Sequence, residues 1–337
     1  MRPGPRLIAA LLAISLAGSL AACGHAAPDA GGAPDNPQAR LDGLTRQDVR
    51  VADVAWRLAL ANADLCPVNR PRAGWTLQSA SQYGGELRPL AEGRYGLDGD
   101  LPGILAVPAG SPAADAGLRP GDLILSVNGR PLQRGEGAAG SYDGLAANTA
   151  VLDQALSGGS VQLQVRRDGT ERTVPLHPVQ ACAYPTQVEV TGTLGGRADG
   201  RHIFISDGMA NLARTDDQLA FVLAHELAHA VLEHRTQPDV TGLRGASNRL
   251  ISLRRGLSPV AEADADHMGL FLAARAGFDP RAAMDFLDLF EAADHGARQT
   301  RGNPGGLYGP VSIRRRALEP VLADIAARRA AGRVLIP

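Results

Sequence analysis

The chain has 337 residues, 45% of them hydrophobic, which suits about two domains with buried cores. Its 34 Lys and Arg nearly balance 35 Asp and Glu, for a formal net charge of -1. With no long-range field and no basic run, nucleic-acid binding is excluded.

In chain order, Arg2 and Arg6 precede an apolar run from Leu7 to Ala22. A charged start and so short a run read as an export signal rather than a bilayer span, which needs about 20 apolar residues. The run ends Leu20-Ala21-Ala22-Cys23, which resembles the bacterial lipobox. That resemblance implies a signal peptide over 1–23, lipidation of Cys23 and a membrane partner reached through acyl chains. Gly24 follows the cysteine. By the same resemblance this favours the outer membrane, with the chain facing the periplasm of a bacterial cell envelope. Residues 24–43 are rich in Ala, Pro, Gly and Asp and read as a flexible tether. With Cys23 lipidated, Cys66 and Cys182 remain, an even pair that predicts a disulfide in an exported protein.

From Asp48 to Ala63 the apolar residues Val51, Val54, Ala55, Leu58 and Ala59 recur at helical spacing. Residues 77–180 then turn rich in glycine and short β-prone runs: 103–107, 122–127 and 161–165, with hairpin pairs Asn128-Gly129 and Asp168-Gly169. A helix around Thr149 to Leu156 separates two of them. Within this segment Ser111-Pro112-Ala113, Ala116-Gly117-Leu118, Gly121-Asp122 and Asn128-Gly129 together resemble a PDZ domain of the type attached to bacterial proteases. In that family a loop holds a peptide C-terminal carboxylate and the peptide adds as a strand to a sheet edge. The resemblance thus implies a C-terminal peptide ligand, with Tyr95, Gly96 and Leu97 as the candidate loop. Cys66 and Cys182 flank the segment, so a bridge between them would pin an inserted domain at its base.

Helical character returns after Cys182. Thr215 with Gln218 three residues on predicts a capping box, and Asp216 and Asp217 suit the positive end of the helix dipole. The helix runs on through LAFVLAHELAHAVLEHR and must stop before Pro238. Inside it, His225 and His229 are four apart and share a face, so both imidazoles reach one ion. Glu226 is turned about 100° from His225, placed to act on water rather than to ligate. Leu232 and Arg235 stand where a metzincin would carry its glycine and third histidine, which excludes that version. The next candidate is Ser258-Pro259-Val260-Ala261-Glu262-Ala263-Asp264-Ala265-Asp266. Ser258 and Pro259 suit a helix start, and Glu262 and Asp266 share a face, as a ligand and a carboxylate orienting a ligand would.

HELAHAVLEH followed by EADADHMGLFLAARAGFDP resembles the HtpX/BepA-type zinc endopeptidases, relatives of the prenyl-protein proteases. The resemblance implies one Zn²⁺ per chain on His225, His229 and Glu262, with Asp266 supporting a histidine and Glu226 as general base. It further implies that a strand near 201–206 borders the cleft and that protein or peptide substrates are cleaved in envelope quality control. Members often carry His-Pro with an arginine five residues after the proline; here Gly309-Pro310 leads to Arg315, so Tyr308 and Arg315 are the oxyanion candidates.

The expected fold is α+β: a mainly helical zincin-type domain with a small sheet, formed by 44–76 and 181–337, interrupted by the β-rich PDZ at 77–180. The alternative function is a PDZ-bearing chaperone or scaffold with latent or no proteolysis.

Overall fold

A computed structural model describes residues 36–198, 202–233, 259–301 and 311–337. The signal segment with Cys23, most of the tether, the residues joining the two metal-bearing helices and Tyr308 lie outside them. Helix α1 spans Pro37–Ala61 and begins inside the stretch expected as tether. The Asn36 side chain accepts from the Gln38 N–H, Pro37 fits the first turn, and Leu41 is fully buried. These three local features outweigh the disorder-prone composition around them.

Strands β1 (Asn69–Arg72), β2 (Thr76–Gln78), β3 (Gly103–Ala106), β4 (Leu123–Val127), β5 (Arg130–Pro131), β6 (Val161–Arg167) and β7 (Thr170–Leu176) follow. Helices α2 (Leu87–Tyr95), α3 (Pro112–Asp115) and α4 (Asp143–Ser157) are interspersed among them. The sheet runs β2-β3-β4-β6-β7, with β5 paired to β4. Asn128 and Gly129 (φ 50° and 78°) and Asp168 and Gly169 (φ 50° and 75°) make the two hairpin turns, conformations that Asn-Gly and Asp-Gly adopt cheaply. Ile104, Ile124, Leu152, Leu156, Leu163 and Leu176 form the core of this part.

Strand β8 (Val179–Cys182) returns antiparallel to β1, pairing Asn69 with Cys182. This two-stranded neck closes the inserted segment. The Cys66 and Cys182 sulfurs stand at bonding distance there, with Cα atoms 5.5 Å apart.

Beyond the neck, β9 (Thr186–Glu189), β10 (Gly196–Ala198) and β11 (Ile203–Ser206) form a second sheet in the order β10-β11-β9. Helices α5 (Asp207–Leu212), α6 (Asp216–Val231), α7 (Pro259–Arg275), α8 (Ala282–Arg301) and α9 (Val311–Ala330) complete the described chain. Alpha and beta elements are thus mixed, and the expected class holds. Helix α6 is the centre: Leu219, Phe221, Leu223, Ala224 and Leu227 are buried among α1, α7, α8 and β10. Thr215 and Gln218 make the capping box. The helix ends at Val231, sooner than its sequence pattern suggests, and Glu233 takes a positive φ of 54°.

A cavity of about 350 Å³ lies between α1, β2, α4 and β9. Asp48 lines it from α1, facing the phenols Tyr83 and Tyr142. Burial lifts the Asp48 carboxyl from its ordinary value to about 7.

Two outcomes follow from this architecture. Replacing Cys66 and Cys182 by serine removes a cross-link across 116 residues, so urea denaturation should show a loss of about 4–5 kcal/mol in stability. Asp48 holds its proton to higher pH folded than unfolded, so its contribution is complete below about pH 4 and fades as pH rises through 7. Thermal melts of Asp48→Asn should therefore fall less between pH 5 and 8 than those of the parent chain.

Candidate metal centre

The site is built where α7 crosses α6. A Cβ on Gly269 would stand 3.0 Å from the backbone nitrogen of His225 and 3.2 Å from its Cα. Glycine there lets the two backbones approach, and the approach carries Glu262 and Asp266 over the histidine face of α6. His225, His229, Glu262, Glu226 and Asp266 are all buried.

Three potential ligand atoms converge. Nε2 of His225 lies 3.1 Å from Nε2 of His229 and 3.3 Å from Oε2 of Glu262. Oε1 of Glu262 is 3.8 Å from Nε2 of His229. All three residues offer an atom within 4.8 Å of the others. Ligands bonded to one ion at about 2.0–2.1 Å in a tetrahedron stand about 3.3 Å apart. The Oε2 oxygen of Glu262 is buried without a hydrogen-bond partner among the described residues, a costly state unless a cation meets it. The donor set and its spacing fit a metal ion.

Electrostatics point the same way. Nδ1 of His225 donates to Oδ1 of Asp266 at 2.8 Å, which leaves the Nε2 lone pair free to ligate. Burial pulls the His225 pKa down, but the hydrogen bond to Asp266 and the adjacent carboxylates of Glu262 and Glu226 outweigh it and lift it to about 9. The pocket thus stabilises positive charge at this point. Burial pushes Asp266 up, yet Arg314 and His225 hold it well below the usual carboxylate range.

Arg314 escaped the sequence reading. Its Nε donates to Oδ2 of Asp266 at 2.6 Å and its Nη2 to Oδ1 at 2.5 Å, a two-pronged clamp. Arg315, the oxyanion candidate, turns to the Met284 carbonyl, at 2.9 Å, and to Asp288. Adjacent helical residues differ by about 100° in direction, so of the run Arg314-Arg315-Arg316 only one can face Asp266.

The cleft-bordering strand also needs correction. Strand β11, within the expected 201–206, is central in its sheet, flanked by β10 and β9. The strand at the end of the sheet beside the site is β10. A Cβ on Gly196 would come within 2.5 Å of Oε1 of Glu226, so the β10 backbone lies directly against this carboxylate. A small recess lined by Val222, Glu226, Phe286 and Phe290 opens next to it.

The expected peptide-binding loop is not open to a ligand. Tyr95 ends α2 with its hydroxyl bonded to Thr45, Gly96 caps the helix at φ 62°, and Leu97 is buried with Leu41. Asp98 pairs with Arg134 and Arg166. Strand β3, which follows, has both edges filled by β2 and β4. The helix α2 that ends at the candidate loop was invisible to the glycine pattern.

Comparison with known proteins agrees with this arrangement. Residues 103–142 match the family model for the PDZ domain, and residues 190–248 match that for peptidase family M48. Two separate segments of the chain are thus similar to a PDZ domain and to an M48 peptidase. The M48 match contains β10, β11 and α6 but stops short of Glu262 and Asp266, which the fold brings to it. Among curated relatives, the magnetosome formation protease MamE of Magnetospirillum gryphiswaldense is 39% identical over 95 residues, 27% of this chain and 11% of that protein. The mitochondrial metalloendopeptidase OMA1 of Schizosaccharomyces pombe is 34% identical over 113 residues, 28% of this chain and 34% of that protein. OMA1 of Saccharomyces cerevisiae is 30% identical over 102 residues, 25% of this chain and 30% of that protein. The chain therefore spans about a third or less of the length of these relatives.

Removing the clamp should loosen the ligand set. Arg314→Ala is expected to weaken metal affinity about 10- to 100-fold, read by competition with a chelator, with Arg314→Lys recovering part of it.

Proposed function

We propose that this chain is a zinc-dependent endopeptidase that cleaves proteins of the bacterial envelope. The observation that carries the reading is the His225–His229–Glu262 group on the helix that also bears Glu226, whose carboxylate lies against the backbone of β10. When bound, zinc supplies Lewis acidity that polarises a carbonyl and acidifies water.

The chain's own residues perform the rest. His225, His229 and Glu262 hold the ion, and Asp266 keeps the His225 ring turned so that Nε2 faces it. The substrate backbone pairs in extended form with β10, which fixes its scissile carbonyl beside Glu226. Glu226, a buried carboxylate, takes a proton from the attacking water and returns it to the leaving amine. The recess lined by Phe286 and Phe290 receives an apolar side chain next to the cut.

The location rests on the first residues and on the cysteines. Arg2 to Cys23 read as a lipoprotein signal, and pairing of Cys66 with Cys182 suits an oxidising compartment. Attachment is through acyl chains on Cys23; no helix among the described residues is long and apolar enough to cross a membrane. Quality control of envelope proteins is the corresponding role.

The deciding test is digestion of an unfolded generic protein by the zinc-loaded chain beside Glu226→Gln. The parent should cleave; the variant should retain one zinc per chain and lose at least about a hundredfold in rate. Equal cleavage by both would remove Glu226 from the mechanism.

A further inference from the structure

In the inserted segment, two buried oxygens converge beneath the glycine-rich stretch 133–144. Asp100 is 6% exposed and Ser81 1% exposed. Oδ1 of Asp100 and Oγ of Ser81 have no hydrogen-bond partner among the described residues, and they do not bond each other. Both stand 2.9 Å from the position that a Cβ on Gly137 would take, so they face one point. A Cβ on Gly135 or Gly144 would overlap the same carboxylate. Three glycines thus let the backbone close around Asp100, where a side chain would fill the space.

The cradle is fixed by its backbone. The Asp100 N–H donates to the carbonyls of Arg134, at 2.7 Å, and Gly135, at 3.1 Å. The Ser141 N–H donates to the Ser81 carbonyl at 3.0 Å. Asn148, buried on α4, donates through Nδ2 to the carbonyls of Asp100 and Gln133, each at 2.8 Å, and accepts from the Gln133 N–H. The carboxylate and hydroxyl at the centre take no part in these bonds.

Charge there is uncompensated. Asp98, two residues earlier, is answered by Arg134 and Arg166. Arg134 is the one cation in 133–144, a stretch that also carries Glu136 and Asp143. A carboxylate this deep is costly without a positive partner. Carboxylate and hydroxyl oxygens form a hard donor set, which suits calcium, whereas zinc favours nitrogen and sulfur.

We infer that Asp100 and Ser81 hold a calcium ion beneath the 133–144 stretch, separate from the zinc centre. Oδ1 of Asp100 supplies the charge, Oγ of Ser81 is a second ligand, and water completes the shell. With one carboxylate, the affinity is that of extracellular calcium modules, about 10⁻⁴–10⁻³ M. The ion ties the segment after β2 to the stretch that leads into α4. It shares no residue with the His225–His229–Glu262 group, and its binding is independent of cleavage.

The test is thermal melting and amide hydrogen exchange of the zinc-loaded full chain in calcium chloride, beside sodium chloride and magnesium chloride at matched ionic strength. Calcium at about ten times its dissociation constant should raise Tm and slow exchange at Gly135, Glu136 and Gly137 about tenfold. Sodium should do neither, and magnesium less than calcium. Asp100→Asn, relieved of the buried charge, should fold and show no calcium response. Ser81→Ala should weaken calcium binding about tenfold, and it decides the matter if Asp100→Asn does not fold. The inference is overturned by no calcium response, as a buried water alone would give. A response equal in sodium or magnesium, or one unchanged in the variants, would overturn it as well.

Discussion

The approach of α7 to α6 at Gly269 is the constraint on which the site depends. An added methyl there would press on the backbone of His225 itself, and a packed interior has no slack to absorb it. Because the helices touch backbone to backbone, Glu262 arrives opposite two imidazoles whose own helix fixes their separation. The ligand group is therefore a product of helix packing, and its geometry is only as good as that contact.

Charge is handled by layering. Glu262 and the imidazoles face one point, Asp266 stands behind His225, and Arg314 stands behind Asp266. Each buried charge meets an opposite one, which is how a low-dielectric interior tolerates them. The sequence shows the first two layers because Glu262 and Asp266 are spaced four apart on one helix. The third comes from α9, nearly fifty residues on, and no spacing rule connects it to the rest.

The inserted segment changes what surrounds this machinery. The β1–β8 neck and the two cysteines hold it at one point, while α1 packs on both sides of the junction. That helix contributes Val51, Val54 and Leu58 to the core around α6 and Asp48 to the cavity beside β2. One element thus serves the support of the metal-bearing helix and the wall of the cavity.

Local chemistry made much of this legible. The capping box at Thr215, the hairpins at Asn128-Gly129 and Asp168-Gly169, and the pairing of His225 with His229 on one face are written in spacings shorter than one element. Composition misled at the start of α1, where a few capping and burial contacts outweighed a disorder-prone stretch. What only the tertiary structure decided were relations between distant elements. These are the approach of Glu262 to the histidines, the clamp of Arg314 on Asp266, the placing of the β10 backbone against Glu226, and the burial of Tyr95 and Leu97 that closes the expected loop. The physical reason is range: backbone periodicity fixes which residues share a face within a helix or strand, whereas which faces meet is settled by packing of the whole core.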